Sequence, residues 1–277
     1  MELLAPAGSR QALTAAVQSG ADAVYLGGPQ FGARYSAENF TIEEMKTWVD
    51  YCHLYGVDVH VTVNTLVKEK EIESLKEYLK QLNKIGVDAL IVQDMGAVEI
   101  IKKTVPDMTL HASTQMTVTS LEGVKYLEDM GFSRVVLARE LSEKEIEHIC
   151  KNAKAEIEVF VHGAICMCYS GQCLMSSILG GRSGNRGRCA QPCRLPYDLL
   201  ENGKTVKSGY VLSPKDMALV NDLETLKRIG VTSLKIEGRL KRAEYVSAVV
   251  GVYRKYLDKG GNVSKKDMQE LLDAFSR

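Results

Sequence analysis

The stretch SGADAVYLGG at residues 19–28 recurs in altered form four more times along the chain. The other copies are YGVDVHVTVN (55–64), IGVDALIVQD (85–94), MGFSRVVLARE (130–140) and IGVTSLKIEGR (229–239). In each copy, a glycine that can end a helix in the left-handed conformation precedes a short apolar run that ends in polar residues. Continuous runs of Val, Ile and Leu are typical of parallel strands that are buried on both faces. The repeat therefore predicts alternating helices and strands.

Segments with helical periodicity lie between these strands, and a Ser or Thr stands before several of them, as a helix cap prefers. They cover residues 9–19, 42–54, 72–85, 121–130 and 142–152. Three further apolar runs complete a series of eight predicted strands: 2–5, 22–27, 58–64, 89–94, 108–112, 134–139, 157–162 and 234–238. Eight alternating parallel strands predict a (β/α)8 TIM-like barrel, with a doubly wound open sheet as the alternative.

Polar residues stand where the predicted strands end, which is the edge at which such barrels carry their functional groups. Six of them have side chains suited to binding a substrate: Asn64, His111, Gln115, Arg139, Lys235 and Arg239. Four residues near these ends can transfer protons: His162, Glu140, Asp216 and Glu237. The basic side chains suit carboxylate or phosphate groups of an anionic ligand. We expect Asn64, Arg139, His162 and Glu237 to surround one cavity mouth.

The connection between the seventh and eighth predicted strands is about seventy residues long, far more than one helix needs. We therefore divide the chain into residues 1–163 with strands one to seven, residues 164–228 as a cysteine-rich insertion and connection, and residues 229–277 with the eighth strand and C-terminal helices. Together these parts are predicted to form one domain. The insertion should stand at the functional edge of the barrel.

Five of the seven cysteines fall in HGAICMCYSGQCLMSSILGGRSGNRGRCAQPC, residues 162–193. Their number is odd and the chain is too long for a small disulfide scaffold, so metal ligation is the leading interpretation. Four thiolates suit either a tetrahedral zinc site or a four-iron cluster, and spacing leaves both open. The candidate ligands are Cys166, Cys173, Cys189 and Cys193. Cys168 is interpreted as a packing neighbour, and we expect Cys52 and Cys150 to lie far from this centre.

The charges balance at 35 basic and 35 acidic residues, but they are unevenly placed. Residues 180–255 contain 15 Lys and Arg against 7 Asp and Glu. Four arginines in this part have no acid between them: Arg182, Arg186, Arg188 and Arg194. They are candidates for contacts with nucleic acid, and a solvated loop is the alternative interpretation.

The N-terminus lacks the basic region and apolar run of a signal peptide, and no apolar stretch has the length of a membrane span. With 45% hydrophobic residues the composition is that of an ordinary globular protein. We therefore expect a cytoplasmic protein without a membrane partner. In that reducing location, cysteines stay available as ligands.

Several long motifs resemble those of the U32 family, historically called collagenase-like peptidases. They are VFVHGAICMCYSGQCLMSS, GRSGNRGRCAQPCRLPY, LSPKDM and SLKIEGR, and the resemblance extends over ELLAPAG, GADAVYLGG and HASTQ to almost the whole chain. The resemblance implies a [4Fe-4S] cluster on Cys166, Cys173, Cys189 and Cys193. The wording GRSGNRGRCAQPC is most like the RNA-hydroxylating branch that carries an additional C-terminal region, so we expect the 277 residues to be part of a longer protein.

The same resemblance implies hydroxylation of a pyrimidine in RNA without molecular oxygen. The implied targets are a cytidine of 23S rRNA or a tRNA wobble uridine, and prephenate is the implied hydroxyl donor. A U32 peptidase activity is the alternative. The sequence has no HExxH zinc site and no G-x-S-x-G elbow, and Cys166 with His162 is the pair that could serve as nucleophile and base. Gathered cysteines suit ligands better than an isolated nucleophile.

Overall fold

The structure is a computed structural model that describes residues 1–33 and 38–275. The strands within these residues are β1 (Glu2–Pro6), β2 (Ala23–Gly27), β3 (Asp58–Val63), β4 (Ala89–Val92), β5 (Thr109–Ala112), β6 (Arg134–Val136), β7 (Glu156–Gly163), β8 (Tyr197–Glu201), β9 (Lys204–Gly209), β10 (Met217–Ala218) and β11 (Ser233–Ile236). The helices are α1 (Arg10–Gln18), α2 (Ile42–Leu54), α3 (Ile72–Ile85), α4 (Met95–Thr104), α5 (Leu121–Asp129), α6 (Glu143–Asn152), α7 (Met175–Gly180), α8 (Leu223–Ile229), α9 (Ala243–Lys259) and α10 (Lys265–Ala274).

Eight parallel strands close into a barrel. Their order is β1-β2-β3-β4-β5-β6-β7-β11, and β11 pairs with β1 to complete the ring. The predicted (β/α)8 barrel is thereby confirmed, and the open doubly wound sheet is excluded. Because all eight strands run in one direction, their carboxyl ends meet at one end of the barrel, which we call the mouth.

Side-chain caps begin several of the helices that cover the barrel. Ser9 accepts a hydrogen bond from the backbone of Ala12 at 3.2 Å, and it starts α1 as predicted. Thr41 and Glu44 form a reciprocal capping box at the start of α2. Gly86 ends α3 at a φ of 81°, where a side chain would be strained. The helix caps and the helix-ending glycine that the repeat predicts are therefore present in the structure.

The barrel strands bury apolar side chains outward against the helices, and their inner face carries both apolar and polar side chains. The inner face has a small apolar cluster that includes Leu4, Tyr25 and Ile91. Next to it, Arg134 forms ion pairs with carboxylates from three positions: Glu2, Glu156 and Glu158. Lys235 donates to Glu158 at 2.7 Å, and both side chains are almost completely buried. The inside of the barrel thus contains a network of buried ion pairs beside a small apolar cluster.

Residues 164–219, here called the insertion, leave the barrel after β7 and contain α7 and the hairpin β8–β9. They return through β10, which pairs antiparallel with β7 through Met217 and Gly163. The following helix α8 then occupies the usual place between two barrel strands, although our predicted connection extended to residue 228. Across residues 1–33 and 38–275, the structure contains no helix that is long and apolar enough to span a membrane.

Candidate active site

Three basic side chains lie at or just below the mouth. Arg239 is 5% exposed and donates from Nη1 to Thr62 Oγ1 at 2.9 Å, so it reaches from β11 to β3. The guanidinium of Arg139 lies 3.8 Å from the centre of the Phe160 ring. Lys235 Nζ lies 4.5 Å from the centre of the Tyr25 ring. Aromatic faces stabilise desolvated cations, so this cluster can stay charged while largely buried.

Arg139 has unused hydrogen-bonding capacity. Its side chain is 7% exposed, and Nη2 makes a 3.3 Å contact with Glu237 Oε2. Among the described residues, no partner accepts a hydrogen bond from the buried Arg139 Nε. A guanidinium fork in this state suits a carboxylate or phosphate that arrives with a ligand. The mouth therefore has the chemistry of an anion site.

Two glycines allow the chain to approach Arg239 closely. A Cβ placed on Gly8 would lie 1.7 Å from the backbone oxygen of Arg239. A Cβ on Gly27 would lie 2.8 Å from Arg239 Nη1. Any side chain at these positions would displace the arginine, so glycine at the ends of β1 and β2 is a requirement of the site.

Carboxamides occupy the opposite side of the mouth. Asn64 is 8% exposed and donates from Nδ2 to Gln115 Oε1 at 3.0 Å and to Ser113 Oγ at 3.4 Å. Gln93 donates to the backbone oxygen of Asn64 at 2.7 Å. These amides connect the ends of β3, β4 and β5. The predicted substrate-binding residues Asn64 and Gln115 are therefore in direct contact.

The insertion lies across the mouth and docks on the loops after β2, β3 and β5. Arg186 forms a two-pronged ion pair with Glu71 through contacts of 2.6 and 2.9 Å. A Cβ on Gly171 would lie 2.2 Å from the backbone oxygen of Gln115. A Cβ on Gly187 would lie 2.7 Å from the backbone oxygen of Gly32. Thr117 adds hydrogen bonds with Ser170 and Gln172, so the insertion rests on the barrel through close backbone contacts, hydrogen bonds and an ion pair.

The four candidate ligands lie in this docked segment, and none of them forms a disulfide bond within the described residues. The pKa of Cys193 is raised by burial, and the neighbouring thiols of Cys166, Cys189 and Cys173 add to the effect while Arg194 opposes it. The backbone amide of Gln191 donates to Cys189 Sγ at 3.4 Å. Cys193 therefore has all three other candidate thiols within electrostatic range.

The two remaining helical cysteines are of a different kind. Burial raises the pKa of Cys52 to about 12 and that of Cys150 to about 11, so both stay protonated. Cys52 packs into the apolar layer between α2 and the barrel, and Cys150 lies beside Gly230. Both positions are on helices outside the barrel, away from the insertion, as we expected.

The two predicted residues His162 and His111 lie away from the mouth. A bulge at the end of β7 places His162 beside Ile236, and its Nδ1 lies 3.3 Å from the Tyr253 hydroxyl of α9. Burial lowers the pKa of His162 to about 4. His111 lies deeper in the barrel, where its ring centre is 4.7 Å from that of His60, and burial holds its pKa well below the ordinary value. Both imidazoles are neutral at pH 7.

The predicted acids occupy three different settings. Glu237 lies at the mouth beside Arg139, as expected. Glu140 is exposed on the loop after β6. Asp216 is partly buried just before β10, at the end of the insertion. The structure therefore brings Asn64, Arg139 and Glu237 to one mouth and leaves His162 out of it.

The four predicted nucleic-acid contacts divide into two pairs. Arg186 is engaged with Glu71, and Arg194 donates to the backbone oxygens of Ile165 and Pro214 at 2.6 Å each. Arg182 and Arg188 are exposed. Two of the four arginines thus hold the insertion together, and two face solvent.

Sequence reasoning missed the aromatic and hydroxyl groups that orient the cations. Thr62, Tyr25 and Phe160 all stand inside predicted strands, and only their alternation with outward-facing neighbours marks them as inward. In VDVHVTVN, for example, His60, Thr62 and Asn64 alternate with valines. This alternation is the sequence signal that could have identified the inward-facing residues.

Comparison with known proteins supports this architecture. A family model described as Peptidase family U32 matches residues 8–277. A solved structure titled U32 peptidase Mk0906 aligns with a TM-score of 0.58 at 17% identity, covering 86% of this chain and 93% of that chain. At that identity, the similarity shows the fold alone.

Named relatives extend the comparison. The 23S rRNA 5-hydroxycytidine C2501 synthase of Escherichia coli (strain K12) is 45% identical over 260 residues, covering 93% of this chain and 39% of that protein. The tRNA hydroxylation protein P1 of Bacillus subtilis (strain 168) is 41% identical over 265 residues, covering 93% of this chain and 63% of that protein. A collagenase of Porphyromonas gingivalis is 33% identical over 274 residues, covering 93% of this chain and 65% of that protein. The chain thus spans less than two thirds of the length of these relatives. Because the family model matches nearly every residue, the chain belongs to peptidase family U32.

Proposed function

We propose that this chain hydroxylates a pyrimidine in RNA, with a [4Fe-4S] cluster on Cys166, Cys173, Cys189 and Cys193. The observation that carries the proposal is that the cysteine-bearing insertion docks over a mouth that contains Arg139, Lys235 and Arg239. A redox centre and an anion site are thereby adjacent. Relatives named for hydroxylation of tRNA and of 23S rRNA support the same chemistry.

The donor set fits a metal centre: four thiols lie in the docked segment, and Cys193 has the other three within electrostatic range. Four thiolates would hold a zinc ion, the alternative, or, as we propose, a [4Fe-4S] cluster. When bound, such a cluster supplies one-electron transfer or an iron that can act as a Lewis acid.

The basic residues at the mouth bind the hydroxyl donor, which we propose to be prephenate. Prephenate has two carboxylates, and the guanidinium groups of Arg139 and Arg239 at the mouth have the geometry to pair with them. The rings of Phe160 and Tyr25 lie beneath these cations and provide an apolar floor. Lys235 lies between the rings and is held by Glu158.

Replacing a ring hydrogen by a hydroxyl group removes two electrons from the base. With prephenate as the oxygen donor and no other oxidant, the part of prephenate that gives up the hydroxyl group takes up those two electrons. The ring hydrogen leaves as a proton, and Glu237 is the carboxylate at the mouth that we assign to receive it. The target base must leave its stack to enter the mouth, which favours a single-stranded or flipped nucleotide. Arg182 and Arg188 are exposed for contacts with phosphates.

A peptidase is the second candidate because a relative is named collagenase. The pair that a cysteine peptidase would need here is Cys166 with His162. In the structure, the His162 ring is 5% exposed and packs against Tyr253, whereas Cys166 is exposed. A general base must reach the thiol that it activates, so this placement favours hydroxylation.

The deciding experiment compares RNA from three kinds of strain: wild type, a deletion of the gene, and the deletion complemented by single cysteine variants. Total RNA is digested to nucleosides and analysed by mass spectrometry. We expect one hydroxypyrimidine to disappear on deletion, to return with the wild-type gene, and to stay absent with alanine at Cys166, Cys173, Cys189 or Cys193. Unchanged RNA, together with collagen cleavage by protein that contains no iron, would contradict the proposal.

A further inference from the structure

The carboxamides at the mouth have a fixed direction. The backbone N–H of Ala33 donates to Asn64 Oδ1 at 3.0 Å. A backbone N–H group cannot accept a hydrogen bond, so Asn64 must present its oxygen to Ala33 and its NH2 group to the other side. That NH2 group donates to Gln115 Oε1 at 3.0 Å. The side-chain oxygen of Gln115 is therefore occupied, and exchanging its oxygen and nitrogen would place two donors against each other.

As a result, the free end of this chain of hydrogen bonds is a donor. Gln115 is held further by its own backbone N–H, which donates to Ser113 Oγ at 3.2 Å. In the described part of the chain, no group accepts a hydrogen bond from Gln115 Nε2. Its two N–H bonds are thus available to a ligand that presents an acceptor.

The place of Gln115 relates this donor to both halves of the site. It follows β5 at the mouth, where it contacts Asn64 at the end of β3. The insertion residue Gly171 packs directly on its backbone, and Cys173 follows two residues later. A base held at Gln115 would therefore lie between the barrel mouth and the cysteine segment.

We propose that Gln115 recognises the target pyrimidine by donating a hydrogen bond from Nε2 to a carbonyl oxygen of the base. This inference rests on the proposed function and names the group that selects its substrate. Both pyrimidines have a carbonyl oxygen at position 2. At position 4, uracil presents an acceptor, whereas cytosine presents an NH2 donor. A fixed donor at Gln115 therefore fits O2 of either base or O4 of uracil, and it rejects the N4 edge of cytosine.

The test is Gln115→Glu, which turns the outward donor into an acceptor and adds one negative charge. A carboxylate oxygen can still accept from Asn64, so the rim contact is retained, while the NH2 donor becomes an acceptor. The matched control is Gln11→Glu, the same substitution on the exposed face of α1. Purified full-length chain with its iron content measured is supplied with prephenate and assayed on total RNA from the deletion strain, and kcat/KM is determined by nucleoside mass spectrometry.

We expect Gln115→Glu to lower kcat/KM by about 10- to 100-fold, the range for one lost or reversed hydrogen bond to a base. Iron content and melting temperature should match those of wild type, and Gln11→Glu should retain full activity. If the contact is to O2, the loss is the same for uridine and cytidine targets. If it is to O4, the variant shifts its preference towards cytidine, since its carboxylate accepts from the N4 amino group.

Acidic pH adds a readout that a purely structural role would not change. A protonated carboxyl group is again a donor, so the activity of Gln115→Glu relative to wild type should rise as pH falls towards the ordinary pKa of glutamate, about 4.3. A kcat/KM within twofold of wild type for Gln115→Glu would overturn this inference alone. A wild-type chain that hydroxylates no pyrimidine overturns the proposed function, and this assignment with it.

Discussion

Strand β7 buries seven of its eight residues, whereas the hairpin β8–β9 buries none of its eleven. The same contrast holds for the barrel and the insertion as wholes. In the insertion, residues 164–219, all of which the structure describes, Pro192 is the only apolar residue that is buried. The barrel has a continuous apolar layer between its strands and helices. The barrel is therefore stable through burial, and the insertion must be stable through attachment.

The attachments of the insertion to the barrel can be named. They are the ion pair of Arg186 with Glu71, the close backbone contacts of Gly171 and Gly187, the pairing of β10 with β7, and in our proposal a metal cluster. Hydrogen bonds add to them: Ser170 accepts from Thr117, and the backbone oxygen of Asn185 accepts from Leu66 and Gln93. Segments without an apolar core usually depend on such staples. The contrast predicts that substitutions in the two regions fail in different ways.

The largest effect should come from the cluster ligands. Alanine at Cys189 should remove iron from the protein, free the insertion and abolish hydroxylation, because one missing ligand opens the cluster. The melting temperature of the barrel should change little. The matched control is Cys168→Ala, in the same segment but outside the proposed ligand set, which should keep both iron and activity. Iron analysis and limited proteolysis at the insertion measure the outcome, and equal iron in the two variants would contradict it.

A large effect of a different kind is expected from the ion pairs inside the barrel, where a substitution should lower the stability of the whole barrel. Lys235→Met leaves the buried Glu158 without its 2.7 Å partner, and losing one member of a buried pair typically costs about 3–5 kcal/mol. Urea unfolding should show this loss of free energy for the whole barrel. Lys204→Met removes an exposed lysine of the hairpin and should change the free energy of unfolding by less than about 0.5 kcal/mol. Similar losses for both variants would erase the distinction between the regions.

A smaller effect, on protease cleavage, should distinguish Gly171, which packs against the barrel, from Gly203, which has open space around it. Gly171 and Gly203 have φ values of 86° and 77°, so alanine strains both backbones by about 1–2 kcal/mol. Only at Gly171 would the new Cβ meet another atom, 2.2 Å away at Gln115, whereas Gly203 has open space. We expect Gly171→Ala to increase protease cleavage within residues 164–196 by about tenfold or more, since 1.4 kcal/mol corresponds to a factor of ten. Gly203→Ala should affect only the hairpin turn.

The smallest effect is a dependence of docking on pH. The hydrogen bond from Arg186 holds the pKa of Glu71 below its ordinary value of 4.5 while the insertion is docked. A lowered pKa stabilises the docked state above the ordinary value, and this contribution is lost as pH falls through the lowered pKa. Pepsin cleavage of the insertion should therefore increase at acidic pH relative to cleavage of Glu71→Gln at the same pH. If the cleavage rates of the wild-type chain and of Glu71→Gln depend on pH in the same way, the ion pair does not hold the insertion.

The sequence predicted the barrel well because its signals are local. A glycine after each helix, a capping Ser or Thr, and a short apolar run specify each unit without reference to distant residues. The hairpin β8–β9 was missed although its turn has a recognisable signal: Asn202 and Gly203 both adopt positive φ, as an Asn-Gly hairpin turn requires. Its strands lack the regular alternation of apolar and polar residues that would have marked them.

The site was predicted less completely, for reasons that lie beyond local sequence. His162 would face the mouth by simple alternation, but the bulge beside Ile236 turns it towards α9. Arg186 looked like a nucleic-acid contact, and its ion pair with Glu71 joins residues 115 positions apart. Such pairings depend on the closed barrel and on the path of the insertion. The residues at strand ends could be predicted, whereas their partners could not.

The antiparallel pairing of β10 with the end of β7 has a consequence for protein engineering. Met217 lies opposite Gly163, and Ala218 lies opposite His162, so the insertion leaves and re-enters the barrel at adjacent positions about 5 Å apart. Ends this close can be joined by a short loop, and closing a short loop has a low entropic cost. The segment can therefore be excised or exchanged between homologous chains as a cassette, with the barrel serving as an unchanged scaffold.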